Sequence, residues 1–423
     1  MLINEQTWDF VRRHADEDVR RLALQGSKEE GVDLAMALQQ IAGRQTARGK
    51  LPTWAAVDGV VYPPHLNMEQ CSSEQTARYK ARLAGEGDVF IDLTGGLGVD
   101  FYFMSQGFRQ RVYVEQNDDL CLIADHNFGL LGQPCTVVCG SAADYLSAME
   151  GTATVIYLDP ARRNEHGGRT YDIRDCTPNV LELLPLLLQK ARRVILKLSP
   201  MLDWRKAVED IEHAVVPQAP SPITHEVHII SVNNECKELV LVLGSEPAGP
   251  LRVCCVNNDK VFQVVPTVGT DCYHRESWPR TPRKLSVPTV GAVAEPLYLY
   301  EPNASVMKAG CFVELEQQFA VQQVAPNSHL FLSADEIGDF PGRRFQILAI
   351  SPVNQKKLKH VLTNISPNIS LPLESANIAV RNFPLTADQL RKKLKMKDGG
   401  DTYIFATTRA DGTHSLFICR KIS

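Results

Sequence analysis

The segment Val89 to Asp100 reads VFIDLTGGLGVD. An apolar run ends in Asp92 and is followed by Thr94, Gly95, Gly96 and Gly98, ahead of what reads as a helix start. Glycines let a backbone approach a ligand, and a helix N-terminus offers free N–H groups to a carboxylate or phosphate. A nucleotide-like ligand is therefore expected at this loop. A dinucleotide fingerprint needs a third glycine where this chain has the bulky Phe101, which disfavours a nicotinamide cofactor. The next apolar run ends in Glu115, about 20 residues after the glycines, where a carboxylate can accept both ribose hydroxyls of an adenosine. A solvated strand end is the alternative for Glu115, and its place after the glycine loop favours ribose binding.

The fourth apolar run, Thr154 to Leu158, ends in Asp159-Pro160-Ala161-Arg162. An acid and a proline at a strand's C-terminal end sit on the sheet edge where ligands bind, and proline stiffens the turn. Glycine loop, Glu115 and DPAR in this order resemble class I S-adenosylmethionine-dependent methyltransferases, and DPAR itself resembles the motif of RNA uridine-5 methyltransferases. Over residues 88 to 245 the resemblance implies S-adenosylmethionine as cofactor, held by Asp92, Thr94, Gly95, Gly96, Gly98, Glu115, Ser141, Ala142 and Asp159. Asp159 and Pro160 would position the methyl acceptor. Ser141 stands where such enzymes often carry an acid on the adenine amino group, and Asp144 one turn on is the other candidate for that contact.

The uridine-5 enzymes place a cysteine nucleophile after the fifth strand, where this chain has Leu196-Lys197-Leu198-Ser199-Pro200. Without that thiolate, carbon-5 methylation is disfavoured unless Cys176 reaches the site from a loop. Methyl transfer from a sulfonium to an amine needs alignment and a place for the amine's proton. Asp159 can serve. Lys197 and Arg162 read either as ion-pair partners or as phosphate contacts.

These residues need a scaffold. Val89–Leu93, Arg111–Glu115, Thr136–Cys139, Thr154–Leu158, Arg193–Leu198, Glu226–Val232 and Leu239–Leu243 read as strands, alternating with helical stretches up to the fifth. Several are apolar on both faces, which predicts an α/β fold: a Rossmann-like, seven-stranded methyltransferase sheet with helices on both sides. The last two runs flank Asn233-Asn234 and predict an antiparallel hairpin at one edge. The first 80 or so residues read as helical, with a helix over Ser72–Leu83 capped by Ser72 or Ser73 and stopped by Gly85. Beyond the linker at Pro247 and Pro250, small α+β domains are expected. The divisions are 1–85, 86–247, 248–340 and 341–423.

Met68-Glu69-Gln70-Cys71-Ser72-Ser73-Glu74, Tyr300-Glu301-Pro302-Asn303-Ala304, Val380-Arg381-Asn382-Phe383-Pro384 and Lys397-Asp398-Gly399-Gly400 resemble bacterial methyltransferases with a ferredoxin-like insert and a C-terminal THUMP-like domain. The resemblance implies an RNA substrate, rRNA or tRNA. Residues 351–423 hold 12 Lys or Arg against 5 Asp or Glu, on a chain whose net charge is -4. A helix Ala387–Lys397 would bury Leu390 and Leu394 and present Arg391, Lys392 and Lys395 to RNA phosphates or to solvent. Phe383 and Tyr403 are the stacking candidates there, and each reads equally as core.

No run reaches the ~18 apolar residues of a membrane span, the start lacks a secretory pattern, and the 11 cysteines include no CxxC pair. A cytoplasmic protein with reduced thiols and no metal site is expected; the oligomeric state is not legible. Two rivals remain: a non-catalytic RNA-binding protein that keeps the fold, and a nicotinamide oxidoreductase.

Overall fold

In the computed structural model, residues 3–27, 29–162, 172–215, 222–246, 249–266, 290–293, 295–364 and 373–422 are described. They divide into two compact units, Met1–Val232 with Lys237–Leu251, and Asn233–Cys236 with Arg252–Ser423.

The first unit opens with helices α1 (Glu5–Arg13), α2 (Val19–Gln25), α3 (Leu34–Lys50), α4 (Pro52–Ala55), α5 (His65–Gln70) and α6 (Glu74–Ala84). Asn4, Asp18, Asp33 and Ser73 each accept a backbone N–H from the third residue on, satisfying donors that a helix start leaves orphaned. Phe10, Val11, Leu22, Ala37 and Ile41 bury their apolar stripes together. Of the two expected caps, Ser72 and Ser73, it is Ser73 that caps α6, and Gly85 ends it at φ 69°.

Seven strands follow: β1 (Gly87–Asp92), β2 (Phe108–Glu115), β3 (Thr136–Cys139), β4 (Ala153–Leu158), β5 (Ala191–Leu198), β6 (Thr224–Val232) and β7 (Glu235–Gly244). Each predicted run is one of them. They lie in the order β3-β2-β1-β4-β5-β7-β6, parallel from β3 to β5 with β7 antiparallel to β5. Asn233 and Asn234 turn the chain at φ 51° and 64°, the left-handed pair a two-residue hairpin requires. Helices α7 (Val99–Met104), α8 (Asp118–Leu130), α9 (Ala142–Ala148), α10 (Val180–Lys190) and α11 (Trp204–Val215) connect the parallel strands and lead on to the hairpin. The chain runs outward in opposite directions from β1 and from β4, so the crevice beyond their C-terminal ends is where an open α/β sheet binds ligands.

The second unit contains the hairpin β8 (Arg252–Asn257) and β9 (Lys260–Val264). It also contains β10 (Tyr298–Pro302), α12 (Ala304–Ala309), α13 (Phe312–Phe319), β11 (Phe331–Ser333), β12 (Gly342–Pro352), α14 (Gln355–Asn364), β13 (Asn377–Arg381), α15 (Ala387–Leu394), β14 (Thr402–Thr408) and β15 (His414–Ile422). Six of these strands form one sheet in the order β11-β10-β12-β15-β14-β13. Alternation along them sends Leu299, Phe345, Phe405 and Phe417 to one face. Ile404, Leu416 and Ile418 go to the other, under Leu358 of α14 and Leu390 and Leu394 of α15.

Two expectations change here. Helix α15 stops at Leu394, not Lys397, because Lys395 turns left-handed at φ 57° and its N–H bonds back to the Arg391 and Lys392 carbonyls. Lys395 therefore stands beyond the helix face instead of on it. Strand β13 was not expected, because Ile378, Ala379 and Val380 are its only apolar residues, between the polar Asn377 and Arg381. The Pro- and Arg-rich stretch Trp278–Pro288 lies outside the described residues. Among the described residues no helix is long and apolar enough to cross a membrane.

Candidate active site

The loop between β1 and α7 rests on aromatic rings, and this decides what each glycine is for. Phe90, Phe101, Tyr113 and Phe128 pack edge-on or tilted with centroids 4.9 to 6.0 Å apart. A Cβ on Gly95 would lie 2.1 Å from the Tyr113 ring, and one on Gly98, at φ +85°, 2.5 Å from Phe128. Those two glycines are required by the protein's own core. Gly96 differs: at φ +54° its missing Cβ would meet only the Thr94 carbonyl, 3.9 Å away. It is the glycine that leaves the cleft open. The Tyr113 hydroxyl donates to the Gly96 carbonyl at 2.5 Å and fixes the loop from below.

Glu115 ends β2 with its carboxylate across the loop, accepting the Gly96 N–H at 2.8 Å and the Asn117 N–H at 2.9 Å. Ser141 caps α9: its Oγ accepts the Asp144 N–H at 3.1 Å and donates to the Asp144 carboxylate at 2.7 Å. Ser141, Ala142 and Ala143 line the cleft, and Asp144 does not. Asp144 is thus the partner of Ser141, not its substitute on the cleft wall.

Asp92 is buried at the end of β1, where it accepts the Thr94 N–H at 2.9 Å. Burial pushes its carboxyl well above the usual range, and Asp100, Asp159 and Glu115 push the same way. The Thr94 hydroxyl accepts the Asp159 N–H at 2.6 Å, which ties the end of β1 to the turn after β4.

Asp159 projects into the cleft beside buried Pro160, and Lys197 on β5 holds its Oδ2 at 2.5 Å. Lys197 also donates to Ser72 Oγ at 3.1 Å. Behind them lies Asp100, which accepts from Ser72 Oγ and from the Tyr157 hydroxyl, each at 2.7 Å. Lys80, fully buried, sits 2.9 Å from Asp100 and 2.6 Å from Glu238 and donates to Ser72 at 2.8 Å. Burial opposes ionisation of Asp100, but Lys80 and Lys197 outweigh it and bring its carboxyl down to about 2. Burial likewise opposes the charge on Lys197, and Asp159, Asp100 and Glu238 overcome it and keep the ammonium protonated. Asp159 itself is pushed up by burial against the pull of Lys197.

Sequence reading missed Ser72, Lys80, Asp100, Tyr157 and Glu238. Lys80 lies on an amphipathic helix, where a lysine reads as solvated, and its partner Glu238 is 158 residues away. Only the Met68–Glu74 motif pointed toward this wall. Lys197, open between two readings, is an ion-pair residue. Of Arg162 only the backbone is described, on a short strand paired with Cys176. Cys176, buried on that ribbon, lines the cleft.

The cleft has a volume of about 790 Å³ and gathers Asp92, Thr94, the three glycines, Glu115, Ser141, Ala142, Asp159 and Pro160 in one cavity. Its walls carry the desolvated Asp92 carboxylate, with no cation beside it among the described residues, and the Glu115 carboxylate. That donor set suits a ligand with positive charge and vicinal hydroxyls, as S-adenosylmethionine has, and not a pyrophosphate. Among the described residues no group of three or more His, Cys, Asp or Glu is placed to hold a metal.

In the second unit, Glu301 joins two motif segments: its carboxylate takes Arg343 Nε and Arg381 Nη2, each at 2.6 Å. On α15, Arg391 is pinned by Asp388 and, at 2.7 Å, by Asp398. Lys392 and Lys395 are exposed. Neither stacking candidate is free: Tyr403 packs on Phe345 at 5.0 Å, and Phe383 lies edge-on to His414 at 5.3 Å.

Fold and site together define a class I methyltransferase: a doubly wound sheet of seven strands with the glycine loop and Asp159 at its switch point. Over its whole length, and over all of the other protein's length, this chain is 30% identical to a candidate methyltransferase of Porphyromonas gingivalis W83 of known crystal structure, with TM-score 0.79. Residues 298–341 match the ferredoxin-like domain family and residues 342–421 the THUMP domain-like family. The chain belongs to this family of class I S-adenosylmethionine-dependent methyltransferases with ferredoxin-like and THUMP-like domains. A candidate class I enzyme of Listeria monocytogenes is 10% identical over 61% of this chain and 94% of its own, with TM-score 0.39. A Pyrococcus furiosus methyltransferase is 16% identical over 48% and 97%, with TM-score 0.35. Neither of these two carries weight for function. No curated protein matches the sequence.

Proposed function

We propose that this methyltransferase modifies a ring or exocyclic nitrogen of a nucleobase in structured RNA, rRNA or tRNA. The observation that carries the reading is Asp159: Lys197 occupies Oδ2, while Oδ1 has no protein partner among the described residues and the side chain is 35% exposed in the cleft. S-adenosylmethionine, when bound, would supply an electrophilic sulfonium methyl group, which passes to a nitrogen nucleophile as the S–C bond breaks and a neutral thioether leaves. Asp92, Thr94, Gly95, Gly96 and Gly98 cradle the cofactor's amino-acid end, Glu115 accepts its ribose hydroxyls, and Ser141 and Ala142 bound the adenine. Asp159 Oδ1 orients the target nitrogen by accepting its N–H and then takes the proton released as the new N–C bond forms. Pro160 keeps that carboxylate on the sheet edge.

The THUMP-like segment supports an RNA acceptor, with Lys392 and Lys395 as phosphate contacts and Arg391 braced behind them. The four-part division at residues 85, 247 and 340 is the domain scheme that goes with this reading.

A second reading rests on Cys176, whose place in the cleft wall keeps carbon-5 methylation open. One experiment tests both. Radiolabelled S-adenosylmethionine is incubated with the full chain and total RNA from cells lacking it, and the labelled nucleosides are identified by mass spectrometry. An N-methylated base retained in Cys176→Ser supports the proposal. A carbon-5 product lost in that variant replaces it, and the absence of any label in RNA overturns both.

A further inference from the structure

On the wall of the cleft formed by α5, Asn67 and Gln70 have no part in the cofactor site described above. They lie three residues apart on one helix, hence on one face, and both line the cleft. Neither side-chain amide has a hydrogen-bond partner among the described residues.

Their backbone, by contrast, is tied down at its end. Lys50 Nζ donates to the Met68 and Glu69 carbonyls at 2.8 and 2.7 Å, and Met68 is buried. Two residues past Gln70, Ser72 Oγ accepts from Lys197 Nζ, the same ammonium that holds Asp159. One lysine therefore sets the distance between the α5 wall and the reacting carboxylate. Free amides on a pinned backbone, indexed to the catalytic acid, have the form of a recognition element and not of a flexible rim.

Their chemistry narrows the ligand. A carboxamide offers two donors and an acceptor without net charge, the set that pairs bidentately with a base edge. Asp172 and Asp175 line the same cleft, as does Lys237, with Arg174 and Lys206 at 3.8 and 3.9 Å from Asp172, and the two carboxylates add acceptors for a ring bearing N–H groups. We infer that Asn67 and Gln70 are specificity-determining residues that read the hydrogen-bonding edge of a base withdrawn from its stack, while Asp159 holds the nitrogen to be methylated. The inference rests on the nucleobase reading above.

The test uses the full chain with Asn67→Ala, Gln70→Ala and the double variant. Three quantities are measured: S-adenosylmethionine affinity by calorimetry, kcat/KM for total RNA lacking the modification, and the identity of the labelled nucleosides. Cofactor affinity should stay within about twofold. kcat/KM should fall by about 5- to 150-fold, the worth of one bidentate amide–base pair, and label should spread to a second base. If the wild type labels RNA and the double variant keeps both its kcat/KM and its single product, the inference fails and the nucleobase reading stands. Loss of cofactor affinity would also overturn it, by placing the two amides in the cofactor site. If the wild type labels no RNA, both fall.

Discussion

The Lys197 ammonium lies 2.5 Å from Asp159 Oδ2, the lysine side chain largely withdrawn from water and the aspartate partly open to the cleft. Removing the cation while leaving the burial should push the Asp159 carboxyl further up. A larger fraction of it is then protonated at neutral pH, and the acid limb of the pH–rate profile moves to higher pH. Lys197→Met should lower methyl transfer at pH 7 by about 100-fold, the scale of a lost general base. Lys197→Arg, which keeps the charge, should restore part of the rate. A profile that stays in place while the rate drops would assign Lys197 a purely structural role.

Lys80 is buried between Asp100 and Glu238. Lys80→Met leaves two buried carboxylates short of a partner and should cost about 3–5 kcal/mol in denaturant unfolding. Asp100 is held down from 3.8 to about 2, so its contribution to stability is complete above 3.8 and is lost as pH falls through about 2. The gap between wild type and variant should therefore close over that interval. A gap independent of pH would place the effect in packing.

The three loop glycines should separate by assay. Gly95→Ala and Gly98→Ala drive a methyl group into Tyr113 and Phe128 and should lower the melting temperature steeply, with cofactor affinity lost as a consequence. Gly96→Ala meets no such wall; holding alanine at positive φ should cost about 1–2 kcal/mol, while cofactor affinity falls by more than that accounts for. Equal stability losses in all three variants would contradict the division between core and cleft glycines.

Asp92 sets function against stability. Its carboxyl is raised well above 3.8 in the folded state, so holding it ionised opposes folding as pH rises. Asp92→Asn keeps an acceptor for the Thr94 N–H and should raise the melting temperature of the cofactor-free protein at neutral pH. The gain should vanish below 3.8, where the carboxyl is protonated in both states. Calorimetry should show weaker S-adenosylmethionine binding by the same variant. A variant that binds the cofactor as well as wild type would remove Asp92 from the site.

On the basic helix, the pairing of Arg391 with Asp388 and Asp398 predicts unequal effects. Lys392→Glu with Lys395→Glu should weaken RNA binding and reduce the slope of log affinity against log salt by about 1–2. Arg391→Gln should alter it little and cost stability instead. Filter binding across a salt series distinguishes these results, and an unchanged slope in the double lysine variant would move the RNA contact elsewhere.

Seven strands, a glycine loop, an acid at the end of β2 and DPAR after β4 were all legible in the sequence. Each is a local pattern: a run of apolar residues, a turn type, an acid at the end of a strand. The length of α15 was misjudged because the left-handed turn at Lys395 leaves no mark in a run of lysines. The purpose of Gly95 and Gly98 was legible only in part, since glycine spacing announces close approach without saying whether a ligand or the chain's own aromatic rings do the approaching.

Of the array behind Asp159, the sequence singled out only Lys197 as a candidate ion-pair residue, without its partners. Ser72, Lys80, Asp100, Lys197 and Glu238 come from five separate segments, and no periodicity relates them. Their charges persist in a low-dielectric interior only because each lies within 2.6 to 3.7 Å of another member of the array. By itself the sequence determined the class of fold and the edge of the sheet that carries the chemistry, because strands and loops are written in neighbouring residues. Only the tertiary structure decided which carboxylate, Asp159, opens to the cleft and which, Asp100, is enclosed by partners, because buried charges are set by groups distant in the chain.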